Sequence, residues 1–501
     1  MDGKGHILVL PFPAQGHVIP FMELSHRLVD HGFEVTFVNT EAYHSLVLAA
    51  LPQASGGETA LGVGIHLASI PDGLTGDDDR KDIGKVTDAC SRHVPQHLER
   101  LIAEMEATGR PKVKWLVGDM VLGSCFEVAK KLDIRVATFW TASAACLAIM
   151  LSAPKLVDEG VINDMGKCRS DMQSDDTFHD LFVEYPYITF LTTRTEAAGW
   201  AERDETFELA PGMPTLPTSQ MPWMDGTGTP VGHPALFELI TRFEKFNSLA
   251  EVVVCNSLDE AEVGTFKLFP DILPIGPLFA DGEFRKPVGN FLPEDERCIK
   301  WLDAQPNRSV VYVAFGSMAI FDPRQFEELA QGLELTGRPF LWVVRPDFTV
   351  GLNKAWLAEF QQRVAGTSII VSWCSQQQVD PYGAANVLAH RAVACFVSHC
   401  GWNSTMEGVR NGVPFVCWPY FCDQYLDRSY ITNVWRVGLA VSPSADGIVT
   451  KEELRSKVEQ VLGDDDIKER ARLFMDASRR SIRGSGSSFE NFIKFVDLLS
   501  E

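Results

Sequence analysis

The chain has 501 residues, 45% of them hydrophobic, and a formal net charge of −22. That length is more than one hydrophobic core organises, so two domains are expected, each with enough apolar residues to fill its interior. The acidic excess argues against nucleic acid or an anionic membrane as the main partner. The 11 cysteines are scattered without CxxC pairs or zinc-ligand spacing, which reads as reduced thiols rather than a disulfide framework. With no signal-peptide pattern at the start and no uncharged apolar run long enough to span a bilayer, a cytoplasmic protein is expected.

In chain order, residues 6–12 (HILVLPF) form a short apolar run closed by Pro11 and Pro13, a strand. Pro20, Phe21, Leu24 and Leu28 then predict a helix ending near Gly32, and residues 34–39 (EVTFVN) a second strand. Alternation continues with a strand at 115–118, a helix at 121–132, a strand at 135–139 and a helix at 142–151. Strands alternating with helices imply a parallel, doubly wound sheet. From 161 to about 229 the pattern breaks into acidic, aromatic and Pro-rich pieces, read as a long loop system. A strand at 250–256 and a Gly/Pro-containing linker at 275–290 follow.

A second α/β series starts at Ser309, with VVYVAFGS as strand and turn, a helix at 323–336, and FLWVVR and SIIVS as further strands. Helices at 451–462, 467–479 and 488–500 close the chain. The expected division is 1–256 for the first domain, 257–297 for the linker region and 298–480 for the second domain. Residues 481–501 are expected to hold a last helix that packs back on the first domain. Alternation of this kind fits many two-domain α/β proteins.

Two polar residues stand at carboxyl ends of the first domain's strands, where open α/β sheets bind ligands. His17 lies in PAQGH at the start of the first helix, and an imidazole with a pKa near ~6.5 can take a proton at neutral pH. Asp119 ends the strand WLVGD. It can hold the His17 Nδ1–H and stabilise the imidazolium, or it can simply N-cap the helix beginning near Met120.

The most patterned stretch is 373–424, WCSQQQVDPYGAANVLAHRAVACFVSHCGWNSTMEGVRNGVPFVCWPYFCDQ. An aromatic residue and amides lead into the apolar run 394–397, a polar Gly-containing turn at 398–404, and a helix ending near Gly412. A second apolar run at 413–418 leads to Asp423 and Gln424. Strand, turn, helix, strand places a helix N-terminus under an anion. No Lys or Arg lies between Arg391 and Arg410, so a phosphate there would rely on neutral donors and the helix dipole. Structural readings compete: Ser404 and Glu407 have capping-box spacing, and Asp423 could N-cap the following helix. Asp77, Asp78 and Asp79 sit in an irregular acidic loop and read as solvated, and the GVG at 62–64 lacks the third glycine of a dinucleotide loop.

This stretch resembles the signature box of plant family 1 UDP-glycosyltransferases, matching W..Q, then L.H.....F.SHCGWNS..E....GVP....P...DQ. The segment PFPAQGHVIP resembles the same family's N-terminal catalytic motif. The resemblance implies a GT-B fold, two Rossmann-like domains facing a cleft, and an inverting transferase. It would move glucose from UDP-glucose to a hydroxyl of a small hydrophobic acceptor of phenolic, flavonoid or terpenoid type. It implies His17 as general base with Asp119 orienting it, Trp373 stacked on uracil, Cys374 meeting the base through its backbone, and Gln376 and Glu407 on the ribose. Ser317, His399, Asn403, Ser404 and the backbone N–H groups around Gly401 would cradle the diphosphate. Asp423 and Gln424, with Trp402 nearby, would hold the sugar; Gln at the last position is associated with glucose. No metal or other cofactor is implied, UDP-glucose being a co-substrate, and a monomer is expected. Phe12, Met120, Phe139 and Trp140, at strand ends, are the expected acceptor wall.

The chain departs from the family pattern in two places. Similarity is poor between 163 and 204 and returns at Phe207, and an insertion at 380–387 separates Val379 from Leu388. If that insertion displaces Trp373, the alternative is a UDP-sugar-binding protein of reduced or no activity. A nicotinamide-dependent oxidoreductase shares the α/β pattern but would need a dinucleotide fingerprint that this sequence lacks.

Overall fold

A computed structural model describes residues 4–50, 61, 64–76, 78–158, 162–163, 166, 189–191, 206–224, 234–278, 295, 297–346, 348, 354–374 and 387–501. The N-terminal half supplies strands β1 (His6–Leu10), β2 (Glu34–Thr40), β3 (Ile65–Ile70), β4 (Val113–Gly118) and β5 (Arg135–Trp140). Three short antiparallel strands, β6 (Thr189–Leu191), β7 (Thr206–Glu208) and β8 (Leu216–Pro217), make a separate small sheet. With β9 (Val252–Cys255) and β10 (Ile272–Pro274), the first large sheet has the order β10-β9-β5-β4-β1-β2-β3. The second sheet takes β11 (Val310–Ala314), β12 (Phe340–Val343), β13 (Ile369–Val371), β14 (Val393–Ser398), β15 (Phe415–Cys417) and β16 (Gly438–Ala440) in the order β13-β12-β11-β14-β15-β16. Every pairing in both large sheets is parallel.

Strands such as β1 and β11 are buried along their length and mainly apolar, as expected where helices cover both faces of a sheet. Alternation along a strand then sorts side chains into two cores. Ile7 and Val9 join Trp115, Val117 and Phe139 on one face of the first sheet, while Leu8 and Leu10 join Leu116 and Val136 on the other. The last helix, Ser487–Ser500, lies on the first of these faces, burying Phe492, Phe495, Val496 and Leu499. Each such side chain contributes about 1.5–3 kcal/mol. Asn491 fixes its register by donating Nδ2 to the carbonyl of Pro274, 3.0 Å away.

Both sheets reverse winding direction at their first strand. From β1 the chain winds one way to β2 and β3, then returns to β4 on the opposite side. From β11 it winds to β12 and β13, then returns to β14. Side chains just beyond β1, β4, β11 and β14 therefore collect at topological switch points, where crossover loops part and leave a crevice. His17, Asp119, Ser317 and His399 occupy those positions.

Several elements go beyond the sequence expectation. The helix Ile83–Ala107, with its buried stripe of Val86, Cys90, Val94, Leu98 and Ile102, fills a stretch to which no element had been assigned. Glu41–Ala50, β3 and Lys354–Val364 are further additions. The expected helix at 121–132 is split into a 3-10 turn, Met120–Leu122, and a helix, Ser124–Lys131. The helix after Asp423 runs only over Gln424–Ser429 before widening into a π turn, Tyr430–Val434. Most of the 161–229 loop system, linker residues 279–290 and residues 380–386 of the 380–387 insertion lie outside the described residues. Among the described residues no helix is long and apolar enough to cross a membrane.

Candidate active site

One cavity of about 300 Å³ is lined from both large sheets. His17, Trp140 and Thr141 of the first domain border it, as do Ser317, Trp373, His399, Gly401, Trp402, Asn403, Ser404, Glu407, Asp423 and Gln424 of the second. Trp373 and His399 thus share one cavity with His17.

His17 sits in the first turn of the helix Gln15–Asp30, its Nδ1 2.6 Å from Asp119 Oδ2. Asp119 is 1% exposed while the imidazole keeps 27% of its surface open. The carboxylate divides its work: Oδ2 also accepts from Phe12 N at 3.2 Å, and Oδ1 accepts from Val121 N at 3.1 Å, capping the 3-10 turn. Both sequence readings of Asp119, cap and histidine partner, therefore hold together, one for each oxygen. Thr141 Oγ1, just beyond β5, lies 3.2 Å from the same Nδ1. With Nδ1–H committed to the carboxylate, the lone pair stands on Nε2. Burial pulls the imidazole pKa down, but the charge and hydrogen bond of Asp119, with Asp423 across the cavity, leave it raised above 6.5.

On the second domain the helix Trp402–Asn411 begins at Gly401, with no side chain capping its first N–H groups, and ends at Gly412 in the left-handed region. Ser404 therefore stands inside the first turn, which rules out the capping-box reading of Ser404 and Glu407. The uncapped N–H groups point along the dipole toward the cavity, an arrangement that suits an anion. Glycine is required at both neighbours of the His399 ring. A Cβ on Gly316 would lie 2.5 Å from Nε2 and one on Gly401 2.7 Å. Burial, then the nearby Arg345 charge, lowers the His399 pKa to about 4, so the ring is neutral at physiological pH.

Two of the expected ligand contacts bridge the domains. Asn403 Nδ2 donates to the carbonyl of Gly16 at 2.5 Å, and Trp402 Nε1 to the carbonyl of Asn256 at 2.8 Å. Asp423 begins the helix Gln424–Ser429 without capping it, leaving its carboxylate on the cavity wall. Burial pushes its pKa up to about 6, opposed by His17. Gln424 spends its Oε1 on Tyr420 N (2.8 Å) and Phe421 N (3.2 Å), which leaves the amide nitrogen as its donor. The Cys374 side chain turns from the cavity, its Sγ 3.4 Å from the hydroxyl of Tyr312. Gln376 lies outside the described residues.

The acceptor wall is only half as expected. Phe12 and Trp140 line the cavity, whereas Met120 and Phe139 are fully buried and do not. Phe139 precedes Trp140 on the same strand and so points to the opposite face, meeting Phe21 edge-on at 5.0 Å. Apolar lining that sequence reading missed comes from Ile83 and Val86 of the long helix, with Met150 and Leu236. Their helical periodicity was the available signal. Thr141 could have been found by its place after a strand.

The model of the family described as UDP-glucoronosyl and UDP-glucosyl transferase matches residues 286–478. UDP-glycosyltransferase 83A1 of Arabidopsis thaliana is 36% identical over 502 residues, covering 99% of this chain and 97% of its own. The chain belongs to the plant family 1 UDP-glycosyltransferases. A 7-deoxyloganetin glucosyltransferase of Catharanthus roseus is 28% identical over 516 residues, covering 99% of this chain and 96% of its own. The crystal structure of Os79 from O. sativa in complex with U2F and trichothecene superposes with a TM-score of 0.71 at 26% identity. It covers 98% of this chain and 100% of its own. The fold is GT-B, and the enzyme is a transferase that uses a UDP-sugar and a small acceptor.

Proposed function

We propose that this UDP-glycosyltransferase moves glucose from UDP-glucose to a hydroxyl of a small hydrophobic acceptor with inversion, His17 acting as general base. The observation that carries this reading is a shared cavity: the His17–Asp119 pair and the 399–404 turn face the same space from opposite domains. His17 Nε2 takes the acceptor proton as the oxygen forms its bond to the anomeric carbon. The bond from that carbon to the phosphate oxygen breaks, and its electron pair leaves with UDP. A positioned base contributes about 10²–10⁴-fold.

Charge developing on the leaving diphosphate would meet the first-turn N–H groups of the helix Trp402–Asn411 and the Ser317 and Ser404 hydroxyls, donors already in place before reaction. Trp373 would stack on uracil, Glu407 would accept from the ribose, and Asp423 and the Gln424 amide would hold the sugar. The apolar wall around Phe12, Val86 and Trp140 supports a hydrophobic acceptor. Relatives named for 7-deoxyloganetin and bound to a trichothecene support a small organic one. Trp373 and His399 lining one cavity favours activity over the reading in which the 380–387 insertion displaces the indole. The test is incubation with UDP-glucose and a panel of hydroxylated aromatics and terpenoids, read by mass spectrometry. A glucoside formed by the wild type and lost in His17→Ala is the expected result; no glucoside with any acceptor overturns it.

A further inference from the structure

The sequence around the 399–404 turn offers a diphosphate no cation, and among the described residues lining the cavity Arg80 of the first domain is the one Lys or Arg. A cation nonetheless stands directly behind the phosphate end. Arg345, two residues beyond β12, is 5% exposed. Its Nη1 donates to the carbonyl of Gly316 and its Nη2 to the carbonyl of Ala319 at 2.8 Å. The guanidinium therefore grips both ends of the 316–319 turn, whose Ser317 and Met318 border the cavity. Phe348 packs against it, 5.8 Å from ring centroid to guanidinium carbon. Gly316, at φ +64°, brings the same turn against His399 so closely that no Cβ fits between them.

We propose that Arg345 is the positioning residue of the diphosphate site: its planar fork fixes the Ser317 turn against His399, and its buried charge biases that turn toward an anion. This rests on the reading of the cavity as a UDP-sugar site. Among cationic side chains only a guanidinium offers a planar fork of donors that can serve two carbonyls, and it stays charged when buried. The fall of the His399 pKa, due to burial and then to Arg345, agrees with a charge close to the phosphate end. A low-dielectric surrounding screens such a charge far less than water does.

The test compares UDP with uridine by calorimetry on the full-length protein, since only UDP carries the phosphates. Wild type should bind UDP more tightly than uridine; if it binds neither, the UDP-site reading fails and this inference with it. Arg345→Met should weaken UDP about tenfold or more and uridine by no more than about twofold, a loss of about fivefold or more in their ratio. Arg345→Lys, which keeps the charge but not the fork, should lose about threefold in that ratio. If Arg345→Met does not fold, Arg345→Lys decides alone. Wild-type ratios in the folded variants, or equal losses for both ligands, overturn the proposal in favour of a purely structural arginine.

Discussion

Asn403, in the first turn of the helix Trp402–Asn411, donates its side-chain amide to the carbonyl of Gly16, the residue before His17. One hydrogen bond thus ties the start of the proposed phosphate-binding helix to the segment carrying the proposed base. A net bond of this kind contributes about 0.5–1.5 kcal/mol, so Asn403→Ala should raise the KM for the UDP-sugar about 2–10-fold. Asn403→Asp should be worse, because it sets two acceptors face to face. Steady-state kinetics on the two variants checks this; an aspartate variant as active as wild type removes the bridge from the account.

His17→Ala should lower kcat by about 10²–10⁴-fold. Calorimetry should find UDP affinity near that of wild type, since the nucleotide contacts lie on the other domain. A parallel collapse of UDP binding would instead mean that His17 shapes the donor site.

The pH dependence has a definite sign. The His17 pKa is raised above 6.5, and only the neutral ring can accept a proton. The rate with respect to acceptor should therefore fall as pH drops through that value. Asp119→Asn removes the charge that raises it, so the acidic limb should move to lower pH while the maximal rate declines. A limb displaced to higher pH contradicts the role given to Asp119.

Asp423 titrates near pH 6, raised by burial and opposed by His17. Below that pH it takes a proton and loses its charge, weakening its acceptance of sugar hydroxyls. Affinity for UDP-glucose, whose esterified diphosphate does not titrate in this range, should fall between pH 7 and 5, and Asp423→Asn should remove most of that fall. Binding of UDP-glucose to both proteins across that range measures it; the same pH dependence in wild type and variant rejects the sugar contact.

Gly401 has φ −58°, open to any residue, so a substitution there acts through space alone. Gly401→Ala would put a methyl 2.7 Å from His399 Nε2, and overpacking of this kind costs about 1–3 kcal/mol. Urea unfolding should show the loss, and adding His399→Ala should recover much of it. No recovery would mean that another neighbour resists the methyl.

The sequence determined the alternation of strands and helices, the polar residues at strand ends and the ordered donors of the 398–404 turn. Each depends on residues close along the chain: a period of two or 3.6, a proline, a glycine. It also left pairs of local roles open, as for Asp119 and Ser404, because a carboxylate or hydroxyl near a helix start satisfies capping and ligand rules equally well. Three-dimensional placement decided them, by giving each Asp119 oxygen its own partner and by starting the helix at Gly401 rather than Ser404.

What only the tertiary structure decided are the contacts between distant segments. Arg345 reaches the 316–319 turn, Asn403 reaches Gly16, and Phe139 turns away from the cavity that Trp140 faces. Such relations depend on strand order, the side of the sheet and the approach of two domains, which composition and periodicity do not encode.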